Sequence, residues 1–123
     1  MEKINRLIQK DLSEIIREKS REEFFSSVIS VTRVDVTSDL SLARVYVSIF
    51  APTNVLETVK DEKEKKNLTP SEYVLKLLRE KKDLIRMYLG QRERHQLRII
   101  PDITFYLDDT LDYAKRIDEL LKQ

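Results

Sequence analysis

The hydrophobic positions of the chain follow two different periods, and these periods divide it into helices and strands. Near the N-terminus, apolar residues recur at intervals of three and four, which is the spacing of one face of an α-helix. They are Ile4, Leu7, Ile8, Leu12, Ile15 and Ile16. The pattern predicts an amphipathic helix over residues 2–19.

A period of two follows in the next part of the chain. Residues 28–37 are rich in β-branched side chains, which favour a strand. In residues 43–49, Ala43, Val45, Val47 and Ile49 alternate with more polar residues, as in a half-buried strand. The residues between the two runs, 38–41, are typical of a turn, so the sequence predicts a β-hairpin over residues 28–50.

The middle of the chain combines a charged run with a helix start. The mixed charges of residues 60–66 predict a solvated, mobile connection, with Val55, Leu56 and Val59 in a short helix. Thr69-Pro70-Ser71-Glu72 predicts a capped helix start, with Pro70 at the first helical position. The apolar face of that helix comprises Val74, Leu77, Leu78, Ile85, Tyr88 and Leu89. Gly90, the single glycine, predicts its C-terminal end.

The last third predicts one more strand and one more helix. The strand covers Leu97–Leu107, and Pro101 within it implies an edge position or a bulge. Asp108-Asp109-Thr110 then predicts the cap of a helix with the apolar face Leu111, Ala114, Ile117 and Leu121. The order α-β-β-α-β-α predicts one α+β domain over residues 1–123, with a three-stranded sheet and helices packed on one face.

Composition excludes several classes of protein. The 123 residues include no cysteine, so a disulfide scaffold, a thiolate metal site and a thiol nucleophile are impossible. No long apolar run and no signal-like N-terminus are present, so we expect a cytoplasmic protein. We also expect it to be a monomer when free. Glycine-rich phosphate loops and the common hydrolase motifs are absent. We therefore expect no enzyme activity, cofactor, bound metal or small-molecule substrate.

Positive charge is concentrated in one segment although the net charge is only +1. The segment from Lys76 to Arg98 contains eight Lys or Arg residues and three acidic residues, a net charge of +5, whereas residues 102–123 carry a net charge of −3. Such a segment can bind the phosphates of RNA. The alternative is the ordinary solvated face of an amphipathic helix.

Three smaller features have alternatives of their own. Arg33, Arg44, Tyr46 and Phe50 on the hairpin could stack on bases, or their face could be covered by a helix or form ordinary cross-strand pairs. His95, the only histidine, has no second ligand at metal spacing and predicts a position in a basic loop. Asp108, Asp109 and Asp112 suit the first turn of a helix better than a cation site.

Four segments, in order, resemble the ribosome-binding factor A family. They are residues 29–40 with 43–48, the pairs Ile85-Arg86 and Leu89-Gly90, residues 97–105 with Asp108, and Ala114–Ile117 with Leu120-Leu121. The resemblance runs from about Ile4 to Leu121, with a variable stretch between Pro52 and Pro70. The family's Ala-x-Gly kink in the second helical segment is replaced here by Lys81-Lys82-Asp83, which leaves open whether the helix breaks.

The resemblance implies a KH-like type II fold and a role in ribosome biogenesis and rRNA processing. Members of the family bind the immature small (30S) subunit near the 5′-end helix of its rRNA and assist late maturation, notably in the cold. The usual KH Gly-x-x-Gly loop is absent, so RNA must be bound by another arrangement. With the basic segment, the resemblance predicts RNA contacts at Arg86, Arg92, Arg94, Arg98, Lys81 and Lys82. The alternative function is a protein–protein adaptor or dimerisation module without RNA contact.

Overall fold

The computed structural model describes residues 2–108, so the predicted last helix lies outside the described residues. Within this range the elements follow the predicted order, with additional helices in the middle. They are α1 (Glu2–Glu23), β1 (Val28–Val36), β2 (Leu42–Phe50), a 3₁₀ helix (Thr53–Thr58), α2 (Glu62–Asn67), α3 (Pro70–Glu80), α4 (Lys82–Glu93) and β3 (Asp102–Leu107).

Helix α1 is longer at its C-terminal end than the apolar spacing predicts. It runs to Glu23, and the buried Phe24 follows it directly. Phe25 and Ser26 then adopt positive φ angles of 53° and 60°, which reverse the chain into β1. The apolar pattern ends before the helix does because the last turns of α1 bury few side chains.

The three strands form one sheet in the order β1-β2-β3. β1 and β2 form the predicted antiparallel hairpin, from Val36 opposite Ala43 to Val28 opposite Phe50. In the turn, Asp39 accepts hydrogen bonds from Thr37 and Ser41, which lower its pKa to about 2. The register of β1 shifts between Val31 and Arg33, so Thr32 is an extra residue in a β-bulge.

Strand β3 is shorter than predicted. It pairs in parallel with β2 from Asp102 to Leu107 and begins directly after Pro101, which cannot donate to a ladder. The segment Leu97–Ile100 is irregular and not part of the strand. Arg98, which the predicted strand Leu97–Leu107 included, therefore lies outside the strand, and the predicted start of the strand is wrong.

The predicted second helix consists of two. Thr69 caps α3 by accepting a hydrogen bond from the Glu72 amide at 3.2 Å, as predicted. The chain then breaks at Lys81, whose φ of −100° and ψ of 13° are not helical, and α4 begins at Lys82. The break lies at Lys81-Lys82-Asp83, where the sequence did not decide whether the helix is interrupted. Ahead of it, the charged run forms the short helix α2, in place of the expected irregular connection.

Gly90 does not end a helix, contrary to the prediction. α4 continues for three residues to Glu93, and the glycine has no positive φ. A Cβ atom at this position would lie 3.4 Å from Cγ1 of Ile100. The segment that enters β3 therefore packs close to this position of α4.

The core lies between one face of the sheet and the helices. The sheet contributes Ala43, Val45, Val47, Ile103 and Phe105, and the helices contribute Ile8, Leu12, Val74, Leu78, Ile85 and Leu89. On the opposite face, Phe50 and Tyr106 are exposed. The predicted α+β arrangement with helices on one face is confirmed.

Candidate nucleic-acid interface

Arg86 on α4 has intramolecular partners. Its Nε donates to the carbonyl of Pro101 at 3.0 Å, and its Nη2 donates to the carbonyl of Ile100 at 2.9 Å. These carbonyls would otherwise lack a partner at the entry to β3. Arg86 thus holds α4 against the start of the edge strand, and its guanidinium group is occupied.

Arg92 lies in an acidic cluster on α1. Its guanidinium group donates to Glu14 at 2.5 Å and to Glu18 at 2.9 Å, and it lies 3.7 Å from Asp11. The hydrogen bond from Arg92 lowers the pKa of Glu14, whereas burial raises the pKa of Asp11. The hydrogen bond to Glu14 also raises the pKa of Arg92. These contacts fix the end of α4 against α1.

The two lysines at the start of α4 also have acidic neighbours. Lys81 pairs with Glu23 at the end of α1. Lys82 lies 3.4 Å from Asp102, the first residue of β3. α4 has 12 residues, so it places these lysines about 18 Å from Arg94 along its axis. The six predicted contact residues therefore do not form one surface.

Arg94 and Arg98 differ from the other four. Both are exposed, in the turn and irregular segment that follow α4. In the part of the chain that the structure describes, neither side chain has a hydrogen bond or an ion pair. Their guanidinium groups are available to an anionic ligand, for which their planar fork is well suited.

The N-terminal half of α1 supplies further cations beside this segment. A groove of about 440 Å³ separates the two, and we refer to it, together with Arg94 and Arg98 of the same chain segment as Gln96 and Leu97, as the basic groove. Its lining comprises Lys3, Ile4, Arg6, Leu7, Lys10, Gln96 and Leu97. Arg98 directly follows Leu97, and Arg94 lies two residues before Gln96. Cations on the rim and apolar side chains on the floor suit a nucleic-acid backbone with its sugars and bases.

Sequence reasoning missed the cations of α1. Lys3, Arg6 and Lys10 recur at intervals of three and four, which places them on one helical face. Of these, Arg6 lies 3.7 Å from Glu2, in a pair so exposed that it contributes little. The spacing was a usable signal, but nothing in the sequence showed that residues 94–98 pack beside it.

The hairpin residues form the ordinary cross-strand contacts that the alternative predicted. The guanidinium carbon of Arg33 lies 4.3 Å from the ring centre of Tyr46, and Arg33 also pairs with Asp35 at 3.0 Å. Tyr46 stacks on Tyr106 of β3 with ring centres 5.4 Å apart. This row crosses the sheet face that the described helices leave open, and Arg44 on the same face is exposed.

The described residues include no candidate metal site. Across residues 2–108, no group of three or more His, Cys, Asp or Glu side chains could hold a metal ion. His95 is exposed in the turn after α4, and Asp109 and Asp112 lie outside the described residues. Within the same range, no helix is both long and apolar enough to cross a membrane.

Comparison with known proteins identifies the family. The profile of the family described as ribosome-binding factor A matches residues 1–121. The chain belongs to the ribosome-binding factor A family. A member from Flavobacterium johnsoniae is 43% identical over 97% of this chain and 80% of its own length. One from Christiangramia forsetii is 39% identical over 98% of this chain and 80% of its own length.

Solved structures of ribosome-binding factor A share the fold. The crystal structure from Thermus thermophilus has a TM-score of 0.56 at 19% identity, covering 84% of this chain and 90% of that one. A Thermus thermophilus homology model fitted into the cryo-EM map of a 30S complex has a TM-score of 0.54 at 20% identity, with 84% and 89% covered. The family resemblance and fold class predicted from sequence are thereby confirmed.

Proposed function

We propose that this protein binds the small ribosomal subunit and assists its late maturation in the cytoplasm, as a single domain over residues 1–123. It contacts the rRNA near its 5′-end helix and acts in rRNA processing, including in the cold. The family match over residues 1–121 carries the proposal. The Thermus thermophilus relative placed in a 30S complex supports the choice of partner. No step of the proposed role requires catalysis, a cofactor or a metal.

The rRNA contacts are assigned to the basic groove. Arg94 and Arg98 supply exposed guanidinium groups, and Lys3 and Lys10 supply ammonium groups from α1. Among the other residues predicted from sequence, Lys82 keeps an exposed side chain at the far end of α4 and serves as an outlying contact. Arg86, Arg92 and Lys81 act indirectly, because their bonds hold α4 in place.

A protein–protein adaptor without RNA contact is the competing function. The two differ in salt dependence, because each phosphate contact releases counterions and an ordinary protein interface does not. The basic groove favours RNA binding, because Arg94 and Arg98 are exposed and have no acidic partner among the described residues.

Charge reversal of Arg94 and Arg98 tests the assignment. The variant Arg94→Glu/Arg98→Glu should fold like the wild type, because neither side chain has an intramolecular bond in the described part of the chain. It should lose most of its co-sedimentation with purified small subunits. The logarithmic slope of affinity against salt should fall by about one unit for each lost contact.

Lys60→Glu/Lys63→Glu provides a matched control. Both lysines are exposed, and the change in net charge is the same. This control should bind small subunits nearly as the wild type does. If the Arg94/Arg98 variant binds with wild-type affinity and slope, the RNA surface lies elsewhere, and Arg33, Arg44 and Tyr46 are next to test. If the wild type itself shows no salt-dependent subunit binding, the adaptor function replaces this one.

A further inference from the structure

The outer edge of β1 is covered along only part of its length. β1 pairs with β2 alone among the described strands, so its other edge carries backbone groups that need partners. Two side chains of α1 serve this purpose. Asn5 accepts a hydrogen bond from the Val36 amide at 3.0 Å, and Gln9 donates to the Val31 carbonyl at 3.1 Å.

Before Val31, the backbone of β1 has no partner on this edge among the described residues. In an antiparallel pair, alternate residues direct both backbone groups outward. Ile29 lies two residues before Val31 in an uninterrupted register, so its N–H and C=O point to the same edge as the carbonyl that Gln9 binds. No side chain within residues 2–108 hydrogen-bonds to the Ile29 backbone. One strand position is therefore ready to pair with another chain.

A groove runs beside this open edge. It has a volume of about 590 Å³ and separates the second half of α1 from the first half of β1. Its apolar lining includes Ile16, Ile29 and Val31. Ser27 also lines it, is only 3% exposed, and has an Oγ atom without a hydrogen-bond partner among the described residues. The groove thus combines an apolar floor with an unsatisfied polar group.

Two cations border the groove on the α1 side. Arg17 and Arg21 lie one helical turn apart, are exposed, and form no ion pair within the described range. A carboxylate bound between the two guanidinium groups would reduce their mutual repulsion. A second copy of this chain would bring four arginines together, so charge complementarity favours an acidic partner.

We propose that this groove, which we name the β1 groove, binds an extended acidic segment of a partner protein as an added strand. The backbone of the segment pairs with Ile29, one of its apolar side chains packs against the half-buried side chain of Ile29, and its carboxylates pair with Arg17 and Arg21. Strand addition gains affinity from main-chain hydrogen bonds and specificity from alternate side chains. RNA offers no row of amide groups for the strand edge.

The β1 groove is separate from the basic groove along α1. The β1 groove involves Ser13–Arg21, whereas the basic groove involves Lys3–Lys10. Peptide binding at the former therefore does not depend on the proposed rRNA contacts.

A synthetic peptide of alternating valine and glutamate tests the proposal on the full chain without ribosomes. Titrated into the isotope-labelled protein, it should shift the amide NMR signals of residues 27–31 and the Arg17 and Arg21 side chains in a saturable way. The same peptide with lysine for glutamate should not bind. A version with proline at alternate positions should not bind either, because proline lacks the amide donor.

Variants of the protein sharpen the test. Arg17→Glu/Arg21→Glu should weaken the peptide at least about tenfold through charge repulsion, with Lys60→Glu/Lys63→Glu as the matched control that retains binding. Ile29→Pro removes the outward donor without breaking a ladder bond, and it should also abolish binding, with folding checked by thermal melting.

Three results would overturn the proposal. The first is the absence of saturable shifts in residues 27–31 with the acidic peptide. The second is equal binding of the lysine peptide. The third is loss of the bound acidic peptide when a single-stranded RNA is added or when the protein associates with a second copy of itself. Small-subunit binding by Arg17→Glu/Arg21→Glu should match the wild type, so failure of this proposal leaves the proposed function untouched.

Discussion

Individual carboxylates around Arg92 make opposite contributions to stability. Glu14 accepts a hydrogen bond from Arg92, which lowers its pKa, so its ionised form stabilises the folded state. Asp11 is 8% exposed, its Oδ2 has no partner among the described residues, and burial raises its pKa. Its ionised form therefore destabilises the folded state, although Arg92 partly offsets that cost.

Replacing Glu14 and Asp11 one at a time by the neutral amides should change the free energy of unfolding in opposite directions. A lowered folded-state pKa gives stability that is present above the unfolded pKa of about 4.3 and lost as pH falls through the folded value. Glu14→Gln should thus lower the free energy of unfolding at pH 7, and the difference should vanish in acid. Asp11→Asn should leave stability at pH 7 unchanged or raised. Urea unfolding between pH 3 and pH 7 measures both. A loss at pH 7 in Asp11→Asn larger than in Glu14→Gln would contradict the assignment of signs.

Single elements owe their position to a small number of packed side chains. Val47 on β2 is fully buried, whereas Val28 on β1 is 63% exposed. Val47→Ala should lower the free energy of unfolding by about 1–3 kcal/mol through lost burial and a cavity. Val28→Ala, the same chemical change, should cost less than about 0.5 kcal/mol. Equal effects in urea unfolding would mean that the buried face of the sheet is wrongly assigned.

The glycine inside α4 gives a second prediction at the scale of single elements. Alanine suits a helix interior better than glycine by about 1 kcal/mol, and the added Cβ would meet Ile100 at 3.4 Å, an ordinary contact. Gly90→Ala should therefore raise the free energy of unfolding by about 0.5–1 kcal/mol. A larger side chain, as in Gly90→Leu, should displace Ile100 and destabilise the protein. Marked destabilisation by alanine would indicate that α4 ends at residue 90.

Local patterns in the sequence predicted most elements but not their ends. The period-two run of residues 43–49 and the cap at Thr69 were sufficient, because strand geometry alternates side chains between two faces and the cap bonds a residue three positions along the chain. The start of β3 and the continuation of α4 past Gly90 were not predictable. Both depend on packing between α4 and the segment before β3, which no local pattern encodes.

At the scale of the whole molecule, charge alone did not locate a surface. The sequence singled out Arg94 and Arg98 as part of a basic segment, and both are exposed. It could not distinguish them from Arg86 and Arg92, whose partners lie 14 and more residues away along the chain. The cations of α1 join this region only through the tertiary fold.

The bulge at Thr32 has a consequence for the phase of β1. Before it, the inward side chains are Ile29 and Val31, at odd positions, and after it they are Val34 and Val36, at even positions. Thr32 is thus the extra residue at which the inward positions of β1 change from odd to even numbers. It explains why the alternation of apolar and polar residues is hard to see in this strand. A chain shortened by this one residue would return to strict alternation, with Ile29, Val31, Val34 and Val36 still inward and Val28 still outward. The residue at this position can therefore be deleted without turning the rest of the strand inside out.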